Sequence, residues 1–143
     1  MLPSMRQFLH KLFSSILPSI AWTAIILLLL CLPGGMFPKE EGFAISDFDK
    51  YVHATLFGGF VVLWCWYLAG KYPETLIPYS VAFGLFVLSC LFGIALEFVQ
   101  KFWIPGRDYD PMDMVADSIG AFIGWVLILV DRLRRVKTHK TMQ

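Results

Sequence analysis

The sequence predicts an all-α integral membrane protein, a bundle of four transmembrane helices joined by short loops. Of the 143 residues, 57% are hydrophobic and only 16% are charged, and the mean hydropathy is +0.65. Soluble domains carry about 25% charged residues, so this composition excludes an ordinary soluble domain. Four apolar runs approach the roughly 20 residues that a helix needs to cross a bilayer core. No nucleic-acid partner is expected.

The four spans follow one another in a single domain that covers residues 1–143. Their predicted bounds are about 13–32, 51–69, 78–98 and 112–130. Turn-forming residues separate the spans, as in Leu32-Pro33-Gly34-Gly35 and Ile104-Pro105-Gly106. The first run is longer than the apolar part of a signal peptide and no clear cleavage site follows it, so we interpret it as a retained anchor. Because the links are short, neighbouring helices are expected to run antiparallel.

Positive charges divide unevenly between the two sides of this bundle. With the N-terminus inside, eight Lys and Arg residues lie on the inner side and four on the outer side. The inner set is Arg6, Lys11, Lys71, Arg132, Arg134, Arg135, Lys137 and Lys140, and the outer set is Lys39, Lys50, Lys101 and Arg107. This excess fits the positive-inside rule with both termini in the cytoplasm. Nine of the eleven acidic residues then lie outside, although the net charge is only +1.

Ionisable residues gather at the outer ends of three predicted helices and in one loop. In chain order they are Asp49, Lys50, His53, Glu97, Arg107, Asp110, Asp113 and Asp117, with Gln100 beside them. Ionisable side chains at membrane depth are costly and usually face a bundle interior or a wet cavity. The antiparallel arrangement therefore predicts an outward-facing polar pocket made by the second, third and fourth helices.

Small residues continue the same helix faces toward the middle of the membrane. The stripes are Lys50, Ala54 and Gly58 in the second helix, Ser89, Gly93 and Glu97 in the third, and Asp113, Asp117, Gly120 and Gly124 in the fourth. Small residues let membrane helices approach closely. The acidic residues are therefore expected to face the bundle interior rather than lipid.

A structural role is the alternative for part of this set. Asp49 and Asp113 begin predicted helices, where a carboxylate caps free N–H groups and favours the helix dipole. Lys50 and Arg107 could neutralise their neighbours as salt bridges. Capping does not explain Glu97, which lies near the end of its predicted span, or Asp117, which lies one turn deeper.

Three kinds of chemistry fit the excess of acidic residues. The first is a divalent cation, with candidate ligands Asp49, His53, Glu97, Asp113 and Asp117. The second is general acid/base catalysis on a lipid-borne substrate, with candidates Glu97, His53 and Asp113. The third is binding of a substrate headgroup, with candidates Arg107, Lys50, Gln100 and Asp110. The spacing of these residues leaves all three open.

The combination of these motifs resembles the VanZ-like family of small bacterial membrane proteins. The resemblance rests on Asp49-Lys50-x-x-His53, Glu97-x-x-Gln100, Pro105-Gly106-Arg107-x-x-Asp110-x-x-Asp113-x-x-x-Asp117-x-x-Gly120 and the preceding Leu32-Pro33-Gly34. It covers roughly residues 28–126. One position departs, because the family pattern usually has Asn where this chain has Asp117. The resemblance implies a cell-envelope context and a link to glycopeptide resistance for the protein that names the family.

These observations favour a multi-pass protein of the bacterial cytoplasmic membrane that binds, and could modify, a membrane lipid or a lipid-linked envelope precursor. A noncatalytic accessory or assembly subunit is the first alternative, and a small ion-coupled transporter is the second. The sequence leaves open whether the protein is an enzyme and which proteins it contacts.

Overall fold

The computed structural model describes residues 15–33, 48–71 and 77–141, and residues 135–141 only as backbone. This part of the chain forms four α-helices and no β-strand, as the sequence predicts. The helices are α1 (Leu17–Leu30), α2 (Phe48–Lys71), α3 (Tyr79–Trp103) and α4 (Pro111–Thr141). The predicted turn at Gly34-Gly35 and the cations Arg6, Lys11 and Lys39 lie outside the described residues.

Three of these helices are long and apolar enough to cross a membrane: α2, α3 and the segment Pro111–Arg134 of α4. The prediction of a full first span is wrong for the described residues, because α1 has only 14 residues. At 1.5 Å per residue it is about 21 Å long, shorter than a bilayer core of about 30 Å. Two prolines account for its bounds. Pro18 lies in the first turn, where its missing N–H is tolerated, and Pro33 disfavours helix just after the end.

The other helices extend beyond their predicted spans. α3 continues past residue 98 to Trp103, and α4 continues past residue 130 to Thr141. Hydropathy ends where polar residues begin, but Lys, Arg and Gln are good helix formers, so the backbone stays helical. α3 stops before Pro105 and Gly106, and the φ of 72° at Gly106 is one that glycine adopts without strain.

The closest contact in the bundle lies between α2 and α4. A Cβ on Gly120 would overlap the backbone of Ala54, and a Cβ on Gly124 would lie 2.5 Å from the carbonyl oxygen of Gly58. These helices therefore touch backbone to backbone, which only glycine at these two positions permits. The two small-residue stripes predicted for α2 and α4 form this interface.

The short helix α1 is held against α2 by hydrogen bonds from its side chains. The indole Nε1 of Trp22 donates to the carbonyl of Leu56 at 2.8 Å, and Ser19 Oγ donates to the carbonyl of Leu63 at 3.1 Å. The ring of Trp22 also lies against Gly59, where a Cβ would be 2.7 Å away. In an apolar surrounding such bonds stabilise helix pairs by about 0.6–2 kcal/mol each.

Large apolar side chains cover much of the outside of the bundle. Examples are Leu28, Leu88, Leu91, Ile119, Ile123 and Leu127. The buried core is formed by others, including Ile26, Phe57, Val61, Ala82, Leu96 and Ala121. Contiguous apolar surface of this extent is rare on soluble monomers. Together with the three long apolar helices, it indicates a membrane protein.

Candidate functional site

The predicted polar residues meet at one end of the bundle, where α2 and α4 begin and α3 approaches its end. We call this group the polar cluster; it comprises Asp49, Lys50, His53, Glu97, Asp110, Asp113 and Asp117. Antiparallel packing of three helices places these residues together although they are up to 68 positions apart in sequence, from Asp49 to Asp117. The convergence expected from the sequence is thus present in the structure.

Lys50 lies among three carboxylates contributed by two helices and a loop. Its Nζ is 3.3 Å from Asp49 Oδ2, 3.1 Å from Asp110 Oδ2 and 3.6 Å from Asp113 Oδ1. The first two distances are hydrogen bonds, whereas the third is an ion pair beyond hydrogen-bonding distance. Lys50 thereby joins the start of α2 to the start of α4.

His53 and Asp117 form a second, deeper pair. His53 Nδ1 and Asp117 Oδ1 are 2.9 Å apart, and both side chains are buried. The absence of a side chain at Gly93 makes room for this carboxylate, because a Cβ there would lie 2.6 Å from Asp117 Oδ2. The other ring nitrogen, Nε2, is 3.8 Å from Asp113 Oδ2. The imidazole is therefore fixed on one side by Asp117 and faces Asp113 on the other.

Glu97 is buried on α3 and accepts a hydrogen bond from the loop. The backbone N–H of Asp110 donates to Glu97 Oε1 at 2.6 Å. Glu97 lies further from the end of its helix than the predicted bound of residue 98 implies, because α3 continues for six more residues to Trp103. The backbone N–H supplies this buried carboxylate oxygen with a hydrogen-bond donor. Glu97 thus holds the loop against α3.

Asp110 is the residue that caps α4. Its Oδ1 accepts the backbone N–H of Met112 at 2.8 Å, and Pro111 occupies the first helical position, where its missing N–H costs nothing. The Met112 N–H holds the pKa of the Asp110 carboxyl below its usual range, and Lys50 lowers this pKa further. The capping role considered for Asp113 therefore belongs to Asp110.

Asp113 is left as the least satisfied carboxylate of the polar cluster. It is only 8% exposed, and its buried Oδ1 accepts no hydrogen bond. Its two ionic neighbours, Lys50 Nζ at 3.6 Å and His53 Nε2 at 3.8 Å, both lie beyond hydrogen-bonding distance. Buried carboxylate oxygens normally have donors. Asp49 Oδ1 also lacks one, although the other oxygen of Asp49 accepts a hydrogen bond from Lys50.

Two of the predicted substrate-binding residues hydrogen-bond to the last residue of α1 and to the segment just after it. Gln100 Nε2 donates to the carbonyl of Leu30 at 2.9 Å, and Arg107 Nε donates to the carbonyl of Leu32 at 3.4 Å. The last carbonyls of a helix lack partners within it, and Gln100 satisfies one of those of α1. Both residues thus anchor the end of α1 next to the polar cluster.

A smaller set of residues than predicted has the geometry of a metal site. Among the residues that the structure describes, oxygens of Asp49, Asp110 and Asp113 all lie within 4.8 Å of one another. Two of these residues were predicted as ligands, and the third, Asp110, was predicted to bind substrate. His53, Glu97 and Asp117 fall outside the set. The ammonium of Lys50 contacts all three carboxylates, so it already supplies a positive charge there.

The sequence interpretation missed a group of exposed aromatic side chains beside the polar cluster. We call it the aromatic collar; it comprises Phe98, Phe102 and Tyr109, with Lys101 lying over two of the rings. The Lys-Phe-Trp sequence at the end of α3 is the signal that could have revealed it, because aromatic residues and lysines are enriched at membrane interfaces.

The geometry of the polar cluster suits recognition of a cationic group and proton transfer at His53. Carboxylates outnumber basic groups, and a histidine with one nitrogen fixed can accept or donate a proton at the other.

Comparison of the chain with models of known protein families, with curated proteins and with solved structures finds no match.

Proposed function

We propose that this chain is a VanZ-like protein of the bacterial cell envelope whose polar cluster binds the headgroup of a membrane lipid or of a lipid-linked precursor. It would reside in the cytoplasmic membrane with the polar cluster facing outward, as the excess of inner positive charge favours. The single observation that carries the proposal is Asp113, a buried carboxylate with an oxygen that no donor in the described structure satisfies.

The balance of charge around Asp113 favours a cationic ligand. Five carboxylates belong to the polar cluster, and its basic side chains are Lys50 and His53. Even with His53 protonated, the carboxylates exceed these two cations by three. Burying uncompensated charge is costly, so a positively charged group from solvent or from a lipid headgroup would stabilise the polar cluster.

The position of the polar cluster explains why the ligand would be a lipid. It lies at the end of the apolar bundle, where bilayer headgroups would lie, rather than at mid-depth. Seven of the residues that carry the VanZ-like resemblance gather there: Asp49, Lys50, His53, Glu97, Asp110, Asp113 and Asp117. If the bound headgroup is modified, His53 and Asp113 are the residues placed to move a proton, because His53 Nε2 faces Asp113.

A noncatalytic accessory role is the second candidate, and a specific observation favours it. Several polar side chains tie elements of the bundle together: His53 to Asp117, Glu97 to the Asp110 amide, and Gln100 to Leu30. These bonds would fix the bundle for assembly with a partner. By contrast, no Asp, Glu, Lys, Arg or His lies between residues 54 and 70, 79 and 96 or 118 and 130, so the described spans offer no mid-membrane relay for a transporter.

The test compares lipids retained by variants of the full chain purified in native membrane patches. Asp113→Asn removes the charge of the unsatisfied carboxylate and keeps its volume. Asp108→Asn is the matched control, because Asp108 lies exposed in the neighbouring loop and loses the same charge. Mass spectrometry should show a lipid class enriched over the bulk membrane in the wild type and in Asp108→Asn, and lost in Asp113→Asn.

Thermal unfolding of the same samples separates the two candidates. Loss of the enriched lipid with an unchanged Tm supports headgroup binding. Absence of any enriched lipid in the wild type, together with a strongly lowered Tm for Asp113→Asn, would instead support the structural role.

A further inference from the structure

The aromatic collar adjoins the polar cluster at Asp110, whose side chain is 41% exposed. Phe98 stacks on Phe102 with ring centroids 6.4 Å apart and lies 6.0 Å from the ring of Tyr109. Tyr109 directly precedes Asp110, whose Oδ2 is 3.1 Å from Lys50 Nζ. A molecule lying on these rings would therefore have its polar end beside the polar cluster.

Lys101 supplies a cation at this junction. Its Nζ is 4.8 Å from the centre of the Tyr109 ring and 5.3 Å from that of Phe102. Cation–π contacts hold the ammonium against the two rings, and Lys101 is an exposed residue. A phosphate that follows an acyl chain along the aromatic collar would meet this ammonium first.

The polar cluster has the dimensions of a site for a primary ammonium. Lys50 demonstrates this, because its ammonium lies 3.1–3.6 Å from three carboxylates. Asp113 Oδ1 is buried, accepts no hydrogen bond and has Lys50 Nζ as an ionic neighbour at 3.6 Å, so an ammonium that binds it would share this oxygen with Lys50. That oxygen is an observation independent of the number of acidic residues.

We infer that the ligand is a bilayer phospholipid with a primary-amine headgroup, with its ammonium at Asp113, its phosphate at Lys101 and its acyl chain along the aromatic collar. This inference rests on the proposed function and specifies its ligand. A choline headgroup carries no N–H to give to Asp113, so it loses the charged hydrogen bond. A purely anionic headgroup would meet the repulsion of the carboxylates. A headgroup with a primary amine next to a phosphate offers a cation to Asp113 and an anion to Lys101.

The experiment measures binding of single lipids to the full chain in detergent by native mass spectrometry, with ethanolamine, choline and glycerol phospholipids of identical acyl chains. The wild type should prefer the ethanolamine lipid over the choline lipid by about tenfold, the ratio that one charged hydrogen bond provides. Asp113→Asn should reduce this preference to about onefold, while Asp108→Asn should retain it.

Lys101→Gln tests the phosphate end separately. It should weaken binding of the ethanolamine and choline lipids by the same factor, because both carry the phosphate. Lys71→Gln is the matched control, since Lys71 also lies over a tyrosine ring, 5.3 Å from Tyr67, but at the opposite end of α2. Equal effects of the two lysine substitutions would mean nonspecific lipid contact and would overturn the assignment of Lys101.

Failure of this inference can be distinguished from failure of the proposed function. Equal binding of ethanolamine and choline lipids by the wild type overturns the amine assignment alone, provided that Asp113→Asn still loses its enriched lipid in native membrane patches. If Asp113→Asn changes neither the preference for the ethanolamine lipid in detergent nor the lipid retained in native membrane patches, both the inference and the proposed function are wrong.

Discussion

The contact between α2 and α4 has two halves that are built differently, although each helix contributes one continuous face. In the half toward the start of both helices, Lys50 and His53 meet Asp113 and Asp117 through charge. In the other half, Ala54 and Gly58 meet Gly120 and Gly124 with no side chains between the backbones. One half is held by electrostatics and the other by shape.

The two halves of this contact have different roles in the bundle. Backbone contact fixes the distance between the helices, because a backbone cannot move aside as a flexible side chain can. The spacing of the two helices in the polar half is therefore set by the glycine contacts. The hydrogen bonds and ion pairs of the polar half need not hold the helices together. This explains how Asp113 can remain without a hydrogen bond in a tightly packed bundle.

The largest expected effect comes from His53→Leu. It leaves the Asp117 carboxylate buried without its imidazole partner, and breaking a buried charged pair in this way typically costs about 3–5 kcal/mol. Denaturant unfolding in detergent measures the loss. Adding Asp117→Asn to the same chain should recover much of it, since the buried charge is then removed. If the double variant is no more stable than His53→Leu alone, the buried charge is not the cause.

Gly120→Ala tests the glycine half and should destabilise the bundle by about 1–3 kcal/mol. The new Cβ would overlap the backbone of Ala54, which cannot rotate away. Gly84→Ala is the control, because a Cβ at Gly84 has no neighbour within 4 Å and alanine favours helix. Comparable losses at both positions would show that helix packing here is looser than the structure indicates.

Lys50→Met should have a smaller effect on stability, because Lys50 is partly exposed and its loss is screened by solvent. The substitution should also make the thermal stability of the protein depend on divalent cations. The oxygens of Asp49, Asp110 and Asp113 lie within 4.8 Å of one another in the wild type, and loss of the ammonium removes the cation that pairs with all three carboxylates. Thermal shifts with Ca²⁺ and Mg²⁺ should therefore be larger in Lys50→Met than in the wild type. A wild-type shift of equal size would support a resident metal instead.

The smallest expected effect is a loss of stability in acid that depends on Asp110. Its pKa is lowered in the folded protein by the Met112 N–H and by Lys50. A lowered pKa means that the charged form stabilises the fold above the unfolded pKa and that this contribution disappears as the pH falls through the folded value. Asp110→Asn should lower the Tm near neutral pH, where the charged carboxylate stabilises the fold, and should flatten the fall of the Tm in the acidic range. Asp108→Asn, which removes an exposed charge from the same loop, provides the comparison.

The sequence predicts that the polar residues and the glycines of each helix lie on one face, because this placement follows from helical periodicity. Residues four apart share a face, so the spacing alone placed Asp113, Asp117, Gly120 and Gly124 on one side of α4. Hydropathy likewise identified the three long apolar helices. Helical periodicity does not predict which residues of different elements contact each other. Examples are the contacts of Lys50 with Asp110 and of Gln100 with Leu30.

Two local features also escaped prediction. The length of α1 depends on Pro18 and Pro33, whereas hydropathy treats the whole run as apolar. The cap of α4 depends on which aspartate precedes the first helical turn. Asp110 and Asp113 are three positions apart, and only the placement of Pro111 as the first helical residue decides between them.

The unbroken length of α4 has a mechanical consequence. Its 31 residues extend about 46 Å, more than the apolar core of a bilayer. A rigid rod of that length that pivots near Pro111 by about 5° displaces its far end by about 4 Å. A rotation of the first turn of this helix would therefore displace its far end through leverage rather than through a chain of side-chain contacts.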